Sequence, residues 1–158
     1  MIRVLLATPA RFTDVTEAVG IDFQHVSGKS AFKQVVETMG PGAAFLDYDS
    51  NGFLDLYLVN GGKFPMTYYT NRHNDQRLTT NVLYRNDGDD TFSDATRSAG
   101  VGYHGYGMGV GVGDINNDGF VDLYITNFAP NVLYQNNGDG TFSDITKTAG
   151  VGNETHGR

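Results

Sequence analysis

Cysteine and tryptophan are absent from this chain, and proline occurs only 4 times in 158 residues. Without cysteine there are no disulfides and no thiolate metal sites, while the compartment stays open. No apolar run approaches the roughly 20 residues of a membrane-spanning helix. The opening MIRVLLATPARF holds a very short apolar run and a small-residue site around Ala10. It resembles the clipped end of a secretory signal but is too short for a complete signal peptide, and an edge strand or tail accounts for it equally well. Basic residues are also scarce: 11 Lys and Arg stand against 18 Asp and Glu, a net charge of -7 and a pI near 4.8. Such a surface repels nucleic-acid backbones and anionic membranes, so neither is expected as a partner, and cations are favoured.

What the chain does have is glycine, 21 residues of it, placed between runs rich in β-branched, leucine and aromatic side chains. It also has repeats. NVLYRNDGDDTFSDATRSAGVG from Asn81 returns as NVLYQNNGDGTFSDITKTAGVG from Asn131, and RFTDVTEAVGI from Arg11 is a partial third copy. FLDYDSNGFLDLYLVN, residues 45–60, returns as VGDINNDGFVDLYITN from Val112. The segment 61–80 is an insertion in the first copy only.

Within each unit GAAFLDY, FLDLYLVN, NVLYRND and TFSDAT read as four short strands bounded by Gly, Asn or Asp. NDGDD and NNGDG join the third strand to the fourth with Asn-Gly or Asp-Gly pairs that tolerate positive φ. DATRSAG and DITKTAG then read as one helical turn, with Asp or Thr as N-cap and Gly as the stop. Units of this kind, laid side by side, cover one another's faces, which is the logic of a β-propeller. The expected fold is therefore all-β, an incomplete propeller of antiparallel four-stranded blades. It comprises a partial blade over 11–41, a blade over 42–96 with the insertion 61–80, a blade over 109–146, and the start of another over 147–158. A chain so short does not close a ring alone.

Both loops following the first strand fit D-x-[DN]-x-[DN]-G-x-x-D. Asp47, Asp49, Asn51 and Asp55 fill the oxygen positions of the first, and Asp114, Asn116, Asp118 and Asp122 those of the second. The backbone carbonyls of Phe53 and Phe120 can add one oxygen each. Calcium takes 6–8 oxygen ligands in irregular geometry, whereas magnesium demands a strict octahedron, so the donor set suits calcium, about two ions in all. Leu58 and Ile125 stand where an EF-hand carries its glutamate, and the flanks are strands, so these are not EF-hands. Asp, Asn and Gly are ordinary hairpin residues. That explains one or two of them, but not four oxygen-bearing positions kept in register in both copies, and unneutralised carboxylates would repel one another.

Other polar clusters are weaker. Asp87, Asp89 and Asp90 reduce to Asp139 in the second copy and read as a turn. Asp14, Asp94 and Asp144 recur in F-x-D-x-T as caps or turn anchors. His25, His104 and His156 follow that motif at similar distances and read as architecture, and His73 lies in the insertion. No nucleophile elbow, P-loop or His-rich metal motif occurs, so no enzyme is expected. GYGMGVGVGD, residues 105–114, leads into a cation loop rather than a helix, and its small alternating residues suit a crowded inner strand. In the insertion Phe64, Tyr68, Tyr69, Arg72, His73 and Arg77 could contact a glycan or an acidic partner, although a longer loop is the commoner reading.

DYDSNGFLDLYLVN, NVLYRNDGDDTFSDATRSAGV and GYGMGVGVGDINNDGFVDLYITN together resemble the FG-GAP/VCBS repeat family, in the branch related to cartilage acidic proteins, and are similar to integrin α-subunit propellers. The resemblance covers nearly the whole chain. It implies a seven-bladed propeller on extracellular or cell-surface proteins, with calcium between the first and second strands of a blade. The ligand roles it implies fall on Asp47, Asp49, Asn51, the Phe53 carbonyl and Asp55, and on Asp114, Asn116, Asp118, the Phe120 carbonyl and Asp122. Members usually carry more repeats, which implies part of a longer protein or a subunit completed by association. The functional expectation is a calcium-binding module for extracellular adhesion or for protein or glycan interaction. The alternatives are a self-assembling structural subunit and a non-catalytic fragment of an enzymatic propeller protein.

Overall fold

The computed structural model describes residues 10–29, 35–62, 80–128 and 130–152. The expected contact residues of the insertion, from Phe64 to Arg77, lie outside these, as do His156 and most of the opening segment. Two four-stranded antiparallel sheets, each in simple sequence order, make the body of the chain. The first holds β1 (Ala43–Leu46), β2 (Asp55–Leu58), β3 (Val82–Asn86) and β4 (Phe92–Asp94); the second holds β5 (Gly107–Gly113), β6 (Asp122–Asn127), β7 (Val132–Asn136) and β8 (Phe142–Asp144). A single helical turn follows each sheet, α1 (Thr96–Ala99) and α2 (Thr146–Ala149).

The registers of the two sheets superimpose on the repeat. Leu56 faces Tyr84 across β2 and β3, as Leu123 faces Tyr134 across β6 and β7. Alternation along the strands gives each sheet two faces. Leu46, Tyr57, Val59 and Leu83 from one side of the first sheet, with Ala95, Ala99 and Val101, share a single core with Leu123, Ile125, Val132, Tyr134 and Phe142 of the second. Each fully buried side chain of that size contributes about 1.5–3 kcal/mol, so this seam is what holds the sheets together.

Several turn expectations resolve into particular angles. Gly88 and Asp90 in one β3–β4 turn, and Gly138 and Gly140 in its twin, have φ between 67° and 82°. Gly100 and Gly150 end the helical turns in the left-handed region. The N-caps differ from expectation. Ala95 and Ile145 hold the cap positions without side-chain bonds. Asp94 and Asp144, one residue earlier, accept the N–H of Thr96 and Thr146 at 2.8 and 2.9 Å. The threonine hydroxyls are occupied elsewhere, accepting from Leu83 and Leu133 N–H, which ties each turn to its third strand.

The glycine-rich segment is strand β5, starting at Gly107 rather than Gly109. Crowding accounts for its composition. A Cβ on Gly107 would stand 2.3 Å from Val59 Cγ1, and one on Gly42, just before β1, would stand 2.9 Å from the Gly109 Cα. Among the described residues, 10–29 contain no strand. That segment is nevertheless fastened to the first sheet: Tyr84 OH donates to Asp22 Oδ1 at 2.7 Å, Phe92 N–H donates to the Val19 carbonyl, and Val26 N–H donates to Asn60 Oδ1. Phe12 is fully exposed, whereas its repeat twin Phe142 is 8% exposed.

Candidate metal centre

Each oxygen-rich loop connects the first strand of a sheet to the second and turns on the same two backbone features. The fourth loop residue, Ser50 or Asn117, has φ near 60°, and the sixth, Gly52 or Gly119, has φ near 90°. The first aspartate holds this turn from inside. Asp47 accepts from Asn51 N–H at 3.0 Å and from Gly52 N–H at 2.9 Å; Asp114 accepts from Asp118 N–H at 3.1 Å and from Gly119 N–H at 2.8 Å. The Gly119 N–H, more than any other group, keeps the Asp114 carboxyl below its ordinary range.

Positions three and five carry one carboxylate and one amide in both loops, in opposite order. Asn51 Nδ2 donates to Asp49 Oδ2 at 3.2 Å, and Asn116 Nδ2 donates to Asp118 Oδ2 at 2.7 Å. The fifth residue also closes the turn, since Asn51 Oδ1 and Asp118 Oδ1 accept the N–H of Phe53 and Phe120. The ninth position is buried. Asp55 and Asp122 are 0% and 1% exposed. Asp55 accepts from Tyr48 N–H at 2.9 Å and from Asn86 N–H at 2.8 Å; Asp122 accepts from Ile115 N–H at 2.8 Å and from Asn136 N–H at 2.7 Å. Each of these carboxylates therefore clips its loop to the third strand.

In the first loop, oxygens of Asp47, Asp49 and Asp55 lie within 4.8 Å of one another. Among the described residues the second loop makes no such trio. Its third acid, Asp118, stands at the fifth position, where the turn engages it. Burial raises the Asp55 pKa; the Asn86 and Tyr48 N–H groups pull it down, and the charges of Asp49 and Asp47 push it up again. None of the three forms an ion pair with a described basic side chain; the pair that is formed, Arg85 with Asp87, lies outside the loop. The donor set is thus oxygen throughout, negatively charged and without a direct ion pair to a described basic side chain, and every carboxylate oxygen has a lone pair to spare. Those are the requirements of a hard divalent cation of irregular coordination, and calcium fits them.

The aromatic residue at position seven does something the sequence did not disclose. A Cβ on Gly88 would lie 2.7 Å from the Phe53 ring, and one on Gly138 would lie 2.6 Å from the Phe120 ring. These rings pack on the glycines of the β3–β4 and β7–β8 turns, whatever their carbonyls bind. Asn86 and Asn136 were likewise missed. Their amides donate to the carbonyls of Leu54 and Val121, and their Oδ1 atoms accept from Gly88 and Gly138 N–H. The signal available was an asparagine ending the third strand in both copies. The secondary clusters are turn anchors: Asp87 pairs with Arg85 and accepts from Ser93, Asp89 accepts from Thr91 N–H, and Asp14 accepts from Thr16 N–H. His104 Nδ1 shares a hydrogen bond with the Thr80 hydroxyl.

The pattern of the FG-GAP-like repeat matches residues 47–125 and again residues 114–157. Human cartilage acidic protein 1 is 49% identical over 49 residues, a stretch that is 30% of this chain and 7% of that protein. The chain thus aligns with a small part of that relative's length. No helix among the described residues is long and apolar enough to cross a membrane.

Proposed function

Since the chain belongs to the FG-GAP-like repeat family, we propose that it is a calcium-stabilised repeat module of the extracellular space, its two sheets being blades of a propeller. The carrying observation is the convergence of Asp47, Asp49 and Asp55 within 4.8 Å, none of them ion-paired with a described basic side chain. Asp47, Asp49, Asn51 and Asp55, with the Phe53 carbonyl, would hold one ion. Asp114, Asn116, Asp118 and Asp122, with the Phe120 carbonyl, would hold a second. The cation supplies charge neutralisation and fixes the β1–β2 and β5–β6 turns. Millimolar external calcium fills even weak oxygen sites, which suits an extracellular setting better than a cytosolic one. The role is binding rather than catalysis, in adhesion or in recognition of a protein or glycan.

Calorimetric titration with calcium tests this reading. Two sites are expected in the chain, one in Asp47→Ala and one in Asp114→Ala, with thermal stability falling in step. Unchanged affinity and stability in both variants would reject it.

A second reading, a unit completed by association, draws on one comparison. Tyr57, Ala99 and Val101 are 0% exposed between the sheets. Their twins Tyr124, Ala149 and Val151, on the outer side of the second sheet, are half-buried or exposed. That side has the composition of a covered face, and a further sheet of the same repeat would cover it. A defined oligomer in sedimentation, dissociating on Tyr124→Arg, would favour assembly between copies; a monomer at all concentrations would count against it.

A further inference from the structure

Tyr48 is the second residue of the first cation loop and is 5% exposed. Two of the groups that hold it in place belong to the other sheet. Its ring stacks on Phe142 of β8, with centroids 6.1 Å apart and planes 26° apart. Its carbonyl accepts from Asn136 Nδ2 at the end of β7, at 2.8 Å. The same residue donates its N–H to Asp55 Oδ2, so the residue gripped from across the seam also bonds the buried acid of the cation cluster.

This cross-sheet bond is additional to what asparagine does for its own sheet. Asn86 makes the same two in-sheet bonds as Asn136, to the carbonyl before the second strand and from the glycine of the next turn. Asn136 alone of the two also reaches a neighbouring cation loop. In the second loop the twin of Tyr48 is Ile115, 54% exposed. The two loops thus share a ligand pattern and differ in their support: one is braced by an adjoining sheet and the other is open.

We propose that Asn136 and Phe142 are positioning residues for the cation site of the first loop, coupling cation binding there to docking of the second sheet on the first. The second loop, without such a brace, is the weaker site. This inference rests on the calcium reading above. Its physical basis is pre-organisation: a loop already held in its binding geometry loses less freedom when the ion enters. Coupling of this kind is reciprocal, so the ion in turn tightens the seam.

The test isolates the first loop in the full chain carrying Asp114→Asn and Asp118→Asn, and titrates it with calcium. Adding Asn136→Ala or Phe142→Leu should weaken binding about tenfold, inside the 5–150-fold range usual for coupled sites. Ile125→Val loosens the same seam while leaving in place the Asn136 bond and the Phe142 ring that grip Tyr48; it should lower the melting temperature and leave affinity unchanged. That split separates positioning from general stabilisation. Calcium should also slow amide exchange in β7 and β8 of the parent, a readout that needs no seam variant to fold. Binding unaltered by both seam substitutions, or exchange in β7 and β8 indifferent to calcium, overturns the inference while the metal reading stands. A parent that binds no calcium removes the metal reading of that loop and the inference together.

Discussion

The buried carboxylate of Asp55 accepts the backbone N–H of Asn86, 31 residues further along the chain, at 2.8 Å, fastening the loop that begins at Asp47 to β3. Its second oxygen takes the Tyr48 N–H, so both oxygens serve backbone donors inside the fold. An amide in its place offers one acceptor where two donors converge. Asp55→Asn should therefore cost about 1–3 kcal/mol, the penalty of one unsatisfied buried donor, even in chelator. Asp47→Asn, at a more exposed position, should cost much less in chelator and show its effect mainly in calcium. Chemical denaturation of both variants in the two conditions decides this, and equal losses in chelator would contradict the structural role assigned to Asp55.

The pH dependence of that penalty has a definite sign. Burial, then the neighbouring acids, raise the Asp55 pKa above its ordinary 3.8 despite the two N–H bonds. Without metal, the folded state holds this proton more tightly than the unfolded chain. The stability that Asp55 contributes is complete below the unfolded value and is lost as pH rises through the folded one. The cost of Asp55→Asn in chelator should accordingly shrink as pH increases across that window. In calcium the cation selects the ionised form, and the cost should grow with pH. Asp114 behaves oppositely without metal. Its lowered pKa gives stability that is present above 3.8 and disappears as pH falls through the folded value. Parallel pH series in chelator and in calcium would show the crossover for Asp55, and a cost rising with pH in both would refute it.

Much of this arrangement was legible because the chain repeats itself. The four strands of each unit, the left-handed turn glycines and the oxygen-bearing loop positions all follow from local composition read twice, and Asp47, Asp49 and Asp55 do converge. The bonds by which Asp55 and Asp122 hold the third strand were not legible, since their donors at Asn86 and Asn136 come from another strand. The Phe53 ring over Gly88 depends equally on how two loops lie side by side. Asn136 holding Tyr48 depends on the packing of one sheet on the next, which no single unit encodes. The N-caps were misplaced by one residue because the threonine hydroxyl competes for, and prefers, a strand N–H.

Gly88 and Gly52 both have φ above 80° or at it, but their surroundings differ. A Cβ at Gly52 meets nothing within 4 Å, whereas one at Gly88 meets the Phe53 ring at 2.7 Å. Gly52→Ala should therefore cost only the left-handed backbone penalty, about 1–2 kcal/mol. Gly88→Ala should cost more, and Phe53→Ala in the same chain should recover the excess. A double-mutant cycle on thermal or urea unfolding gives the coupling directly, and strict additivity would mean that the ring is not packed on the glycine.

Tyr57 and Tyr124 make the same bonds in different surroundings. Tyr57 OH donates to the Val101 carbonyl at 3.0 Å and accepts from Asn81 Nδ2, while Asn81 Oδ1 accepts from Asn60 N–H at 2.8 Å. Tyr124 repeats this with Val151, Asn131 and Asn127. Tyr57 is fully buried and Tyr124 is not. Tyr57→Phe should cost about 1–3 kcal/mol because the stranded partners cannot reach water. Tyr124→Phe should cost clearly less, since solvent can replace the hydroxyl. Equal costs would imply that the outer face of the second sheet is covered in solution, and would support association.

The ion itself should be discriminated by the flexibility of its ligands. Each loop offers side-chain oxygens that already accept N–H bonds from the turn, and such a cage adjusts its radius more easily than it imposes a regular octahedron. Calcium accepts irregular coordination at about 2.3–2.6 Å, whereas magnesium needs about 2.0–2.1 Å and surrenders its waters reluctantly. At a hundredfold excess over the dissociation constant, one occupied site adds about 2.7 kcal/mol to stability. Millimolar calcium should therefore raise the melting temperature of chelated protein by several degrees, and the same concentration of magnesium should raise it little. Sodium chloride at matched ionic strength separates binding from screening, because general screening relieves carboxylate repulsion whichever cation provides it. A rise with calcium that magnesium and sodium do not reproduce identifies a coordinated ion. Equal rises with all three would reduce the loops to acidic turns that merely benefit from salt.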